Sequence, residues 1–366
     1  MDCQARIARL RDLLGRRKLD AILISQPENR RYLSGYTAPD HGISETSGLL
    51  LVLRKGKSYL LTDFRYKEQC LKEAEDCEVL LSPKGYFDLL GTLLPDLSIT
   101  SLAFEAHYSL HTTAEKLFTL GRKLQIKMVP LTGLVENLRR VKSKKEIELI
   151  RRSVLLNEKV FQRVFKKIGG ELTEIEVALL IAAEMRLAGA ENESFPTIVA
   201  AGSNSSLPHA VPGRKKIGNA GPLVIDMGLI LEGYCSDMTR SFYHGRVDDT
   251  YRDIHRVVRK AQLAALAAVR AGSTGREVDG AARRVISKAG YGKYFGHSVG
   301  HGVGMAVHEE PRVSSKSRKK LKAGMVITIE PGIYIPGWGG VRLENMVVVK
   351  EDGCENLNSD TTWLDI

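Results

Sequence analysis

The fold is decided by the stretch LVIDMGLILEGYCSDMTR, residues 223–240. Two apolar runs flank the pair Glu232-Gly233, and a turn centred on that pair joins them into a β-hairpin. Positions equally far from the turn are paired, so position 226 lies opposite position 239. Asp237 is two residues before position 239, so its side chain lies on the same face as that of Asp226. The stretch therefore predicts two carboxylates that face each other across an apolar hairpin.

Two facing carboxylates in an apolar setting are costly unless a positive charge lies between them. A purely structural alternative exists, in which Asp237 pairs with Arg240 and Asp226 serves a turn. The hairpin alone leaves both interpretations open.

A second signal lies in GHSVGHGVG, residues 296–304, which is followed by HEEP at residues 308–311. The glycine run is not a dinucleotide-binding fingerprint, because it lacks the strand, the helix and the later acidic residue of that motif. A single histidine is usually a hydrogen-bonded core residue. Here His297, His301 and His308 recur among glycines that permit close backbone approach, which favours a site.

A third signal lies in VITIEPG, residues 326–332, and VRLEN, residues 341–345. We expect Glu330 and Glu344 on apolar strands, with Arg342 as the nearby cation. Four carboxylates with one imidazole suit manganese or a related ion, and cobalt and zinc stay open. Because four carboxylates exceed the charge of one divalent ion, we expect two ions ~3.5–4 Å apart that share ligands. Such a pair activates water and polarises a carbonyl, which is hydrolase chemistry.

The rest of the chain separates into two domains. Residues 1–135 alternate helical and strand-like patterns, which indicates a small α/β domain, whereas residues 136–366 indicate an α+β domain. Capping boxes predict helices after Ser143 and Thr173, and apolar spacing predicts two more at about 251–271 and 275–289. Gly169 and Gly272 are expected to close the first and third of these helices.

The composition describes a globular protein, since 43% of the 366 residues are hydrophobic and 27% are charged. No apolar run reaches the roughly 18 residues of a membrane helix. The N-terminus lacks the apolar segment of a secretory signal, so we expect a cytoplasmic protein with no membrane partner. Five scattered cysteines fit reduced thiols. The net charge of +11 is spread over short basic runs, which favours a solvated surface over nucleic-acid binding.

With these motifs the sequence resembles the pita-bread metallopeptidases, in particular their aminopeptidase P and prolidase branch. The ordered motifs are DxG…GYxSDxTR, HGVGxxVHExP, EPGxY and GGVRxEN, and the runs YLSGY (residues 32–36) and LTDFRY (residues 61–66) are similar to a creatinase-like N-terminal domain. The resemblance covers nearly the whole chain. It implies a C-terminal α+β pita-bread domain preceded by a smaller α/β creatinase-like domain.

The resemblance also implies a ligand set. Asp226 would hold one metal ion, His301 and Glu330 would hold the second, and Asp237 and Glu344 would bridge both.

Five residues would serve the reaction itself. By the same resemblance Glu330 would shuttle the proton between the attacking water and the leaving nitrogen, and His308 would stabilise the oxyanion. His209 and His297 would line the pocket for proline, and Arg342 would orient the bridging carboxylates.

The implied activity is hydrolysis of the bond between an N-terminal residue and proline, by a homodimer. The GHSVGHGVG form favours aminopeptidase P, with Xaa-Pro dipeptidase (prolidase) as the alternative. A methionine aminopeptidase fits less well, because about 135 residues would be extra, and creatinase does not keep the ligand set. A catalytically silent pita-bread protein that binds protein or RNA is the alternative from another class. The loop of residues 37–45 would complete a partner's site or be only a surface loop.

Overall fold

The structure is a computed structural model that describes residues 2–366. The chain forms two compact units, one that ends at Leu138 and one of Arg139–Ile366. The sequence placed this division between residues 135 and 136. Among the described residues, no helix has the length and apolar character needed to cross a membrane.

The first unit contains one six-stranded sheet. Its helices are α1 Cys3–Arg16, α2 Pro27–Ser34, α3 Lys67–Glu73, α4 Tyr86–Asp96 and α5 His111–Leu124, and the short helix α6 Glu136–Arg139 includes the boundary between the units. Its strands are β1 Ala21–Ile24, β2 Leu49–Leu53, β3 Ser58–Thr62, β4 Cys77–Leu81, β5 Ser101–Glu105 and β6 Lys127–Leu131. The strand order is β4-β3-β2-β1-β5-β6, in which β2 runs antiparallel to both of its neighbours.

The second unit contains four helices and four small sheets. Its helices are α7 Lys144–Phe165, α8 Glu174–Leu187, α9 Asp249–Ala268 and α10 Gly275–Lys288. Its strands are β7 Asn192–Glu193, β8 Ile198–Ala201, β9 Gly221–Met227, β10 Leu229–Leu231, β11 Tyr234–Cys235, β12 Met238–His244, β13 Gly300–Gly302, β14 Glu309–Val313, β15 Val326–Ile329, β16 Gly332–Ile335, β17 Gly339–Arg342, β18 Asn345–Lys350 and β19 Gly353–Asn356.

Two sheets of the second unit are each covered by a helix pair. The sheet β12-β9-β8 packs on α7 and α8, where Phe161 and Ile181 meet Ile225 in one buried cluster. The sheet β14-β13-β15-β18-β19 packs on α9 and α10, where Val258 contributes to a second cluster with Ile327. Full burial of each such side chain contributes ~1.5–3 kcal/mol. Because both sheets are apolar on the helix side, their other sides and strand ends are left for polar groups.

The helix starts are confirmed. Ser143 and Thr173 cap α7 and α8, each in a complete capping box with the glutamate three residues later. Two helix ends were predicted too late. Helix α7 ends at Phe165, not at Gly169, because its last turns tighten to bonds such as Lys167 N–H to the Val164 carbonyl, 2.8 Å. Helix α9 ends at Ala268 because the β-branched Val269 turns to an extended conformation in which its side chain is fully buried.

Candidate metal centre

The two aspartates lie on the predicted hairpin. Thr239 pairs with Asp226 in the register of β9 and β12, which confirms the predicted alignment. The turn residues Glu232 and Gly233 both have positive φ, 49° and 81°, as the tight turn of a twisted hairpin requires. Asp226 lies inside β9 and Asp237 directly precedes β12, and both are buried.

The histidine ligand candidate lies on a strand that glycines bring close to its neighbour. His301 is the central residue of β13, between Gly300 and Gly302. A Cβ atom at Gly300 would overlap the carbonyl oxygen of Thr328 on the adjacent strand. The absence of a side chain at Gly300 therefore allows the His301 strand to approach the neighbouring strand closely, which fixes the position of His301.

The two glutamates were expected on strands, and this expectation is wrong in detail. Glu330 follows the last residue of β15, and Glu344 lies between β17 and β18. Both still have backbone partners, because the Glu330 N–H donates to Val299 and the Glu344 N–H donates to Thr239. Along a regular strand, successive side chains point to opposite faces of the sheet. Beyond the strand ends this alternation no longer applies, so side chains from different sheets can converge on one point.

The ligand atoms converge. Nε2 of His301 lies 3.5 Å from Oδ2 of Asp237 and 3.4 Å from Oε1 of Glu330. Candidate ligand atoms of Asp237, His301 and Glu344 all lie within 4.8 Å of one another. Oδ1 of Asp226 is buried, and among the described residues it has no hydrogen-bond partner.

The imidazole of His301 is oriented as a metal ligand would be. Its Nδ1 lies 3.1 Å from the carbonyl oxygen of Gly302, which accepts only from an N–H. Nδ1 therefore carries the proton, and the lone pair of Nε2 faces the two carboxylates. A lone pair directed at carboxylate oxygens is repulsive unless a cation lies between them. The donor set therefore fits a metal ion.

The carboxylates are too crowded to be anionic without a cation. Burial raises the pKa of Asp237 well above its ordinary value, and the charges of Glu344 and Asp226 raise it further. Burial likewise raises the pKa of Glu344, with Glu330 and Asp226 acting in the same direction. Positive charge supplied by divalent metal would allow this set to ionise at neutral pH.

Arg342 ties the ligand set together. Its Nη2 donates to Oδ2 of Asp226 at 2.7 Å, and its Nε donates to the hydroxyl of Thr239 at 2.9 Å. That hydroxyl donates to Oε2 of Glu344 at 2.7 Å. Arg342 thus contacts Asp226 directly and Glu344 through Thr239. The structural alternative for Asp237 is not found, because Arg240 donates to the backbone carbonyl of Glu344 instead.

One cavity of about 670 Å³ collects all of the predicted site residues. These nine are His209, Asp226, Asp237, His297, His301, His308, Glu330, Arg342 and Glu344. Apolar residues, including Phe195, Pro196, Ile198 and Val211, form another part of its wall. The cavity therefore offers charged groups beside an apolar surface, the combination typical of a small-molecule binding site.

Burial lowers the pKa of two further histidines, His308 and His297. The rings of His301 and His308 lie 4.3 Å apart between centroids, and burial together with His301 lowers the pKa of His308 to about 4. Burial also lowers the pKa of His297. Nδ1 of His297 lies 2.8 Å from the carbonyl of Ser298, and its Nε2 lies 3.0 Å from the hydroxyl of Tyr334.

Three residues of the site had no role in the sequence interpretation. Tyr334 accepts a hydrogen bond from Arg342 at 2.8 Å and so links it to His297. Its signal was the final letter of EPGIY. Glu309 and Arg312 also line the cavity, and both belong to the run that contains HEEP. Glu309 is a fixed letter of the motif HGVGxxVHExP but was given no role, and nothing in the sequence spacing distinguished Arg312 from other charged residues.

A buried carboxylate–imidazole set beside an open cavity is a candidate metal site. Residues 148–351 match metallopeptidase family M24, and residues 6–141 match the creatinase/prolidase N-terminal domain. The chain belongs to metallopeptidase family M24, which confirms the predicted combination of a creatinase-like domain and a pita-bread domain.

Similar proteins span the whole chain. A Xaa-Pro dipeptidase of Pyrococcus furiosus is 34% identical over 96% of this chain and 97% of its own. A solved Xaa-Pro dipeptidase of Bacillus anthracis is 35% identical, with a TM-score of 0.91 over 98% of each chain. A solved X-Pro aminopeptidase of Thermotoga maritima is also 35% identical, with a TM-score of 0.86 over 96% of this chain and 98% of that one.

Proposed function

We propose that this chain is a two-metal peptidase that hydrolyses the bond between an N-terminal residue and proline, with Xaa-Pro dipeptides as preferred substrates. The observation that carries the proposal is the convergence of five ligand candidates on one cavity in a chain of a metallopeptidase family. The relatives named for Xaa-Pro cleavage support the choice of bond. The convergence also argues against the catalytically silent alternative.

The ligands divide between the two ions. Asp226 would hold one ion, His301 and Glu330 would hold the second, and Asp237 and Glu344 would serve both. When bound, the ions polarise the scissile carbonyl and lower the pKa of a water. Manganese is the expected metal because the set is rich in oxygen, with cobalt and zinc as alternatives.

Two side chains of this protein act on the proton and on the developing charge. Glu330 lies at the ligand set, with Oε1 3.4 Å from Nε2 of His301, where its carboxylate can take a proton from the attacking water and pass it to the leaving nitrogen. His308 has a pKa of about 4 and is neutral at pH 7. Its ring N–H can therefore donate to the oxyanion without carrying a charge of its own.

Selectivity for proline is assigned to the pocket wall. An Xaa-Pro amide has no N–H and a fixed φ, so a site that binds an extended backbone through that N–H cannot use it. His209 and His297 flank the ring in this proposal, and Tyr334 fixes the orientation of His297. Phe195 and Ile198 supply apolar contact.

The preference for dipeptides is assigned to Arg312. Its exposed side chain lines the cavity, where a guanidinium suits the free carboxylate of a C-terminal proline. A longer peptide has an uncharged amide at that position. Two of the relatives described above bear the name dipeptidase.

The test uses matched substrates. We expect kcat/KM for Ala-Pro to exceed that for Ala-Ala by at least ~10²-fold, or about 2.7 kcal/mol. We expect Ala-Pro to be cut faster than Ala-Pro-Ala. Replacing Arg312 with Gln should slow Ala-Pro by ~10–100-fold, because hydrogen bonds to charged groups contribute ~1.5–3 kcal/mol. Ala-Pro-NH₂, which lacks the carboxylate, is the matched control and should be unaffected.

The outcomes separate the possibilities. Equal rates for Ala-Pro and Ala-Ala would exclude the proposed specificity. Rapid cleavage of Ala-Pro-Ala would instead support aminopeptidase P, the form that the sequence favoured and that the Thermotoga maritima relative supports. The homodimer and the cytoplasmic location stay predictions, and the molecular mass in solution tests the first.

A further inference from the structure

A second buried group of charges lies beside the metal ligands. Glu309 forms ion pairs with Arg139 and Lys142, each at 2.6 Å, and the exposed fractions of the three side chains are 7%, 3% and 1%. Burial alone would raise the pKa of Glu309, but Lys142 and Arg139 hold it below its ordinary value. Glu309 is therefore an anion bound by two cations. We call these three residues the Glu309 triad.

Burying three charged side chains is an energetically unfavourable way to stabilise a fold. Removing three charges from water costs several kcal/mol per ion, and well-packed apolar residues often serve stability as well or better. A buried ionic group is therefore better explained by the geometry that it fixes.

Glu309 lies at the base of the hairpin that carries two site histidines. It pairs with Gly302 in the register of β13 and β14, so His301 precedes one member of the pair and His308 precedes the other. The carboxylate also lies directly over Gly304, where any Cβ atom would overlap it. The last glycine of the HGVG motif is thus required by the position of Glu309.

The cations are themselves anchored. The backbone N–H of Lys142 donates to the carbonyl of Gly324 at 2.9 Å, just before the strand β15. Lys142 also directly precedes Ser143, the cap of α7. Arg139 and Lys142 therefore join the His301–His308 hairpin to a helix start and to a neighbouring strand.

We propose that Glu309, held by Arg139 and Lys142, is a positioning residue for His308. The triad fixes the connecting residues 303–308 so that the imidazole of His308 faces the reacting carbonyl. This inference rests on the proposed function, because it assigns an effect on turnover. It adds a role for three charged residues that are not among the metal-ligand candidates.

The test is a double-mutant cycle between Glu309→Gln and His308→Ala. Misplacing a catalytic group by about 1 Å can cost ~10²-fold, so Glu309→Gln alone should lower kcat ~10–100-fold. KM should stay within ~3-fold, and both metal ions should be retained. In the His308→Ala background the same change should lower kcat by less than ~3-fold, because the group that it positions is already absent.

A conservative series guards against misfolding. If Glu309→Gln does not fold, Lys142→Met enters the same cycle, since it leaves Glu309 paired with Arg139. Lys142→Arg keeps the ion pair and should retain at least half of kcat. Glu105→Gln is the matched control, a buried carboxylate of the first unit that accepts backbone N–H groups of Ser25 and Gln26. It should change stability without changing kcat.

Three results would overturn the inference. The first is additive losses in the double variant, and the second is an unchanged kcat in Glu309→Gln. The third is loss of metal to the extent seen with His301→Ala, which would assign the triad to the metal site. An inactive wild-type protein would instead reject the proposed function, so the two failures are distinguishable.

Discussion

His301 and His308 lie side by side but differ in surroundings. Nε2 of His301 is within 3.5 Å of two carboxylates, whereas His308 forms no ion pair with an acidic side chain among the described residues. The first environment suits a metal ligand and the second suits a neutral hydrogen-bond donor.

Substitution should separate these two histidines. We expect His308→Ala to keep both metal ions and to lower kcat by ~10²–10³, the usual cost of one oxyanion donor. We expect His301→Ala and Asp237→Ala to lose metal and all turnover, because each removes a ligand. Metal analysis with kcat on Ala-Pro measures both. Metal loss in His308→Ala would show that the two assigned roles are wrong.

The glycine-rich strand β13 is the element that brings His301 to the carboxylates. Gly300 packs against the backbone of Thr328, and the hydroxyl of Thr328 accepts from the His301 N–H at 3.1 Å. Gly296 belongs to the same run, but a Cβ atom there would meet no heavy atom within 4 Å. The two glycines therefore differ in what they do.

Alanine substitution should expose this difference. We expect Gly300→Ala to destabilise the protein by ~1–3 kcal/mol, the usual cost of overpacking, and to weaken metal binding by moving His301. Gly296→Ala is the matched control and should change neither. Urea unfolding and metal titration provide the measurements. Equal effects of the two substitutions would contradict the close-packing explanation.

Local chemistry explains which elements the sequence could predict. The hairpin register follows from the turn at Glu232-Gly233 and from the alternation of side-chain direction along the strands. The starts of α7 and α8 follow from their capping boxes. Each of these signals involves only a few neighbouring residues. The partners of Glu309 lie 170 and 167 residues away, so no local pattern marks them. The ends of α7 and α9 were missed because backbone tightening and burial of Val269 decided them, not the following glycines.

At the scale of the whole molecule, the site is a cluster of acidic side chains in a protein whose net charge is positive. The chain has a net charge of +11, yet the four carboxylates of the ligand set line the same cavity. Their ionisation depends on the ions, so metal binding is linked to proton release and to stability. The direction of each pKa shift determines whether stability rises or falls with pH.

The metal-free protein should lose stability both when the pH rises and when it falls, and different residues cause the two losses. Asp237 and Glu344 have raised pKa values, so the folded state binds more protons than the unfolded state and loses stability as pH rises through those values. His308 has a pKa lowered to about 4, so the unfolded state binds more protons and stability is lost as pH falls from about 6.5 towards 4. Bound ions remove the first effect, because they stabilise the ionised carboxylates.

The stabilisation by metal should therefore grow with pH. We expect the Tm difference between manganese-loaded and chelator-treated protein to widen from pH 5.5 to pH 7.5, since protons compete for Asp237 and Glu344 at the lower pH. A ligand at 100 times its Kd stabilises by ~2.7 kcal/mol, which is a readily measured shift in Tm. Asp237→Ala, which lacks a shared ligand, should show a small and nearly constant difference. A wild-type difference that is equal at both pH values would contradict the raised pKa values and the two-metal assignment that depends on them.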